Sequence, residues 1–193
     1  MTNTSKKYLP YLIGSGVIVA GSIYFFRHEI AAHFGKIWDP YTEERLNTLH
    51  PVIRSRAKRF ILEMQSRGIL LRITSDGGYR TWSEQTELYN IGRIYPPIGQ
   101  TVTNAKAGES YHNYGLAFDV VPIVNGKSDW NTPHDRLIGE VGKKYGFEWG
   151  GDFSNRYDWG HLEEQKFGSV WDLKSKYLAG SNFDPEGYLV LAA

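Results

Sequence analysis

The chain has no cysteine among its 193 residues. That excludes disulfide cross-links and thiolate ligands, so a metal ion would have to be held by imidazole, carboxylate or backbone oxygen. A surplus of either charge is also missing: 22 basic and 21 acidic residues leave a formal net charge of +1. No basic run is interleaved with aromatics in the manner of a strand-binding groove, so nucleic acid is not an expected partner. No internal repeat is visible. Aromatic side chains, by contrast, are plentiful at 15%. They cluster around the motifs described below, as either core packing or a sugar-facing cleft would require, and core packing is the simpler account.

The length suits one domain with a well-buried core plus a modest extension. Residues 8–26 carry no charged side chain, close to the roughly 20 residues a helix needs to cross the hydrocarbon of a bilayer. The run reads as a transmembrane anchor behind a short tail at 1–7. A cleaved signal peptide fits less well, because no A-x-A site follows the basic start at Lys6 and Lys7. A juxtamembrane linker at 27–39 then leads to a soluble domain at 40–179 and a loosely attached tail at 180–193. Basic residues are nearly balanced across the apolar run, so they do not orient it.

Within 43–67, Leu46, Leu49, Ile53, Ala57, Phe60, Ile61 and Met64 recur at helical spacing. Pro51 should kink or split this helix near His50, and Gly68 should end it. A short buried strand is expected over 69–74. Thr81 and Glu84 form a capping box that opens a helix over 82–92. A strand is expected over 116–122 and a helix over 133–145, with Thr132 as cap and Pro133 at its first position. Strands at 147–149 and 159–163 would complete a small antiparallel sheet. The expected class is α+β, with helices packed on one side of that sheet.

The most informative stretch runs from Ser110 to Asp119, SYHNYGLAFD, and is followed by DWGHLE from Asp158 to Glu163. Two histidines and a carboxylate form a three-ligand set that leaves a fourth tetrahedral position open, as catalytic zinc sites do. The pattern S-x-H-x-x-G-x-A-x-D with a later D-x-x-H resembles the M15 peptidases, zinc enzymes that cut peptidoglycan peptides at bonds involving D-amino acids. Two further blocks agree, Gly78-Tyr79-Arg80-Thr81 through Glu84-Gln85 and Trp149-Gly150-Gly151-Asp152. They most resemble the L-alanyl-D-glutamate endopeptidase subgroup, which includes phage endolysins. The resemblance spans roughly residues 40–166.

It implies Zn²⁺ bound by His112, Asp119 and His161, with Asp158 as general base and Arg80 stabilising the charge that develops on the carbonyl oxygen. Gln85 and Ser110 match polar positions around the family cleft and are candidates for orienting substrate. Glu163 is a candidate hydrogen-bond partner for a ligating histidine rather than a ligand. His112 and Asp119 stand an odd number of residues apart, so the chain must bend between them, and Gly115 suits the bend. The implied substrate is a peptidoglycan stem peptide, which places the catalytic domain on the periplasmic or outer side of the membrane. Two rivals stay open, a D-Ala-D-Ala carboxypeptidase and a non-catalytic zinc module of the kind found in the Hedgehog signalling domain.

Overall fold

The computed structural model describes residues 37–154, 156–180 and 182–191. The expected anchor at 8–26 lies outside them, and among the described residues no helix is long and apolar enough to cross a membrane. The domain from residue 37 onward is a compact unit.

The helical pattern of 43–67 is divided between α1 (Pro40–Asn47) and α2 (Pro51–Ser66), with Pro51 opening the second helix and His50 capping it through Nδ1, which accepts from Val52 N at 3.2 Å. Proline costs nothing at that position because its missing N–H would have been unsatisfied anyway. Ile53, Ala57, Phe60, Ile61 and Met64 face inward from α2. After β1 (Leu71–Ile73) comes α3 (Trp82–Asn90), opened by the expected box: Glu84 N donates to Thr81 Oγ1, and Thr81 N donates to the Glu84 carboxylate.

β2 (Ala117–Val124) is longer than expected and turns through Asn125 (φ 51°) and Gly126 (φ 77°) into β3 (Lys127–Ser128). Two consecutive positive φ values match the twist of a tight hairpin. α4 (Asp135–Lys144) starts two residues later than expected, because Thr132 Oγ1 accepts from His134 N and closes a turn ahead of the helix. β4 (Glu148–Trp149), β5 (His161–Glu163) and α5 (Val170–Leu178) follow.

The sheet is antiparallel in the order β1-β2-β5-β4, with β3 paired to β2. Phe118 and Val120 on β2 and Leu162 on β5 enter the core, where Phe60 and Phe147 meet Phe118 at ring distances of 5.8 and 5.0 Å. Alternation along the strands sends Asp119, His161 and Glu163 to the opposite face.

Residues 182–191 make contacts with the rest of the domain. Phe183 and Leu189 bridge, Tyr188 OH donates to Thr48 O at 2.8 Å, His50 Nε2 lies 2.9 Å from Leu189 O, and Leu189 is buried. One buried leucine and a few side-chain bonds to distant residues anchor the segment, a pattern without periodicity for the sequence to display.

Candidate active site

Gly115 ends a 3-10 turn at Tyr111–Tyr114 in the left-handed conformation, φ 66°. A Cβ there would stand 2.7 Å from His50 N, so both backbone shape and space call for glycine. The turn delivers His112 beside β2, where Asp119 and His161 are direct cross-strand partners. His161 Nδ1 lies 2.8 Å from Asp119 Oδ1, and His112 Nε2 lies 3.3 Å from both His161 Nδ1 and Asp119 Oδ2. The edge of a tetrahedron with bonds of 2.0–2.1 Å is about 3.3 Å. The three groups meet at the spacing that one small cation would set.

The remaining ring nitrogens are tied off. His112 Nδ1 donates to Gly78 O at 2.8 Å, and His161 Nε2 faces Glu163 Oε2 at 2.8 Å. A carbonyl and a carboxylate only accept, so a proton sits on each of those nitrogens, which leaves His112 Nε2 and His161 Nδ1 to share a cation, a proton or a metal ion, with the Asp119 carboxylate. Lone pairs converging in this way require a positive charge between them. The histidines hold the Asp119 carboxyl well below the usual carboxylate range, against the upward push of burial. Burial likewise opposes protonation of His161, yet its bonds to Asp119 and Glu163 win and push it up to about 10. The donor set therefore fits a divalent ion that favours imidazole and carboxylate, as Zn²⁺ does.

Asp158 lines the same cleft. Its backbone N donates to Gly150 O at 3.0 Å and its carbonyl accepts from His161 N at 3.1 Å, so a tight turn fixes it beside the ligand. A Cβ on Gly150 would meet Asp158 O at 2.4 Å, which accounts for glycine in that block. Burial, reinforced by the neighbouring Asp119 charge, raises the Asp158 carboxyl above its ordinary value.

The buried Arg80 donates from Nη1 to Gln85 Oε1 and from Nη2 to Asp76 O, both at 2.9 Å, and stands 3.8 Å from Asp119 Oδ2. Its Nε has no hydrogen-bond partner among the described residues. Ser110 lines the cleft, and its Oγ accepts from His112 N at 3.3 Å. Gln85 is different: it is fully buried behind Arg80, and its Nε2 donates to Ala105 O at 2.7 Å. Both ends of its amide are used inside the protein, so it braces Arg80 rather than facing the cleft. Sequence reasoning passed over Trp130, an exposed indole on the cleft wall whose position follows from the Asn125-Gly126 hairpin.

A model of the M15 peptidases described as D-alanyl-D-alanine carboxypeptidase matches residues 103–164, the segment holding all three converging side chains. The peptidoglycan L-alanyl-D-glutamate endopeptidase CwlK of Bacillus subtilis (strain 168) is 40% identical over 130 residues, covering 60% of this chain and 72% of that relative. Among solved structures, the vancomycin-resistance D,D-pentapeptidase VanY in complex with Zn(II) is similar in fold, with a TM-score of 0.50 at 18% identity, covering 66% of this chain and 78% of that one. The L-Ala D-Glu endopeptidase ChiX of Serratia marcescens gives a TM-score of 0.45 at 24% identity, covering 70% and 91%. Sequence identity of this extent across the segment that builds the cleft makes the chain a member of the M15 peptidase family.

Proposed function

We propose that this chain hydrolyses the bond between L-alanine and D-glutamate in peptidoglycan stem peptides, with Zn²⁺ held by His112, Asp119 and His161. The observation that carries the reading is the convergence of His112 Nε2, Asp119 and His161 Nδ1 within 3.3 Å, in one cleft with Asp158 and Arg80. The choice of bond is supported by the 40% identity to the Bacillus subtilis endopeptidase.

Bound at this set, Zn²⁺ supplies Lewis-acid polarisation of a carbonyl and a water acidic enough to act near neutral pH. Asp158 takes the proton of the attacking water, an uptake that its raised pKa favours, and returns it to the departing amine. Arg80, braced by Gln85 and the Asp76 carbonyl, offers a fixed positive charge to the oxygen that becomes negative. Glu163 orients His161, and Ser110 both caps the turn carrying His112 and presents its hydroxyl to substrate. The uncharged run at 8–26 supports anchoring of the domain on the outer face of a membrane, where peptidoglycan lies.

Digestion of purified peptidoglycan by the purified chain, with mass analysis of the products, tests the reading. New amino termini on D-glutamate, lost with a chelator and restored by Zn²⁺, are expected. Release of free D-alanine instead would make the chain a carboxypeptidase, and intact muropeptides would leave it a non-catalytic module.

A further inference from the structure

The cleft has a volume of about 1210 Å³, beyond the roughly 300–1,000 Å³ of small-ligand pockets and more than a dipeptide at the metal set would fill. Trp130 lines it and is 59% exposed. Tryptophan is strongly buried on average, so an indole left open to solvent in a cleft is informative.

The backbone on either side of Trp130 is hydrogen-bonded. Asp129 N donates to Pro122 O at 2.9 Å, carrying the β2–β3 pairing on to the residue before Trp130, and Asn131 N donates to Asp129 Oδ1 at 3.2 Å. The indole lies 6.0 Å from the ring of Trp159, which packs on the core. Ser128 also lines the cleft and brings a hydroxyl to it.

We propose that Trp130 is the platform for the muramyl sugar of the substrate. This rests on the L-alanyl-D-glutamate reading: the L-alanine of a stem peptide is joined through a lactyl group to N-acetylmuramic acid, so the acyl side of the scissile bond carries a pyranose. The C–H face of that ring packs flat on an indole, and its hydroxyl and acetamido groups meet the polar rim at Ser128. Trp130 thereby favours stem peptides still attached to glycan over released peptides.

The full chain is assayed on N-acetylmuramyl-L-Ala-D-isoglutamine and on N-acetyl-L-Ala-D-isoglutamine, which lacks the sugar. The wild-type protein should prefer the muramyl substrate, and Trp130→Ala should reduce the ratio of the two kcat/KM values by about three- to tenfold, as for loss of one aromatic face contact. Trp130→Tyr, which keeps a flat face and guards against misfolding, should retain most of the preference. An unchanged ratio in Trp130→Ala overturns the proposal.

If the wild-type protein cuts neither compound, the bond assignment falls, and the platform is judged by binding of a peptide-free tetrasaccharide of alternating N-acetylglucosamine and N-acetylmuramic acid. A shift of the indole N–H resonance that is missing in Trp130→Tyr supports the platform. No shift of that resonance overturns it.

Discussion

At the residue scale, the site depends on which nitrogen of each histidine is left free. Gly78 O and Glu163 hold one nitrogen of His112 and His161 respectively, and the others converge with Asp119. Glu163→Gln keeps the shape but weakens the grip on the His161 N–H. Metal affinity should fall about 10- to 100-fold, read by competition with a chromophoric chelator. Asp158→Asn should lower kcat by about 10²–10⁴ while bound zinc, measured by elemental analysis, stays at the wild-type amount; unchanged kcat would remove Asp158 from the proton path. Gln85 shows what residue type alone leaves open. A glutamine in this motif looks like a substrate contact, but only the packed structure shows its amide spent on Arg80 and Ala105.

At the element scale, caps and turns do most of the positioning. Thr81→Ala removes one half of the capping box of α3, the helix that carries Gln85. It should cost about 0.5–2 kcal/mol in urea denaturation. Gly115→Ala meets both a left-handed backbone and the nearby His50 N, and should cost more than about 1 kcal/mol by the same measurement. These local signals were legible: the capping box, the break at Pro51 and the glycine bend each follow from two or three adjacent residues. Two others were equally local and went unread. Asn125-Gly126 announces the β2–β3 hairpin, and Ser169 with Asp172 announces α5 through its own capping box.

At the scale of the molecule, ion pairs join elements far apart in the chain. Lys144 and Arg67 hold the Glu63 carboxyl down to about 2 from 4.5. Burial pushes Asp39 up, but the bonds from Arg72 and Thr42 outweigh it and leave its pKa lowered. A carboxylate with a depressed folded pKa stabilises the fold above its unfolded pKa and loses that contribution as pH falls through the folded value. The protein should therefore lose stability between about pH 4.5 and 2. Glu63→Gln should be less stable than wild type at neutral pH, with the difference closing over that range in thermal melts; a constant difference would refute the assignment.

By itself the sequence displayed the candidate donors. Ser110 to Asp119 and Asp158 to His161 specify donor types and spacings, and the absence of cysteine leaves imidazole and carboxylate as the side-chain donors available to a metal ion. It also determined helix starts and stops, because these depend on backbone groups only a few residues apart. The tertiary structure decided what those residues face. Pairing of β2 with β5 sets Asp119 against His161 across 42 positions, burial turns Gln85 inward, and Leu189 pins the C-terminal segment to His50. Such contacts come from the packing of distant segments around one core, and that packing leaves no periodic trace along the chain.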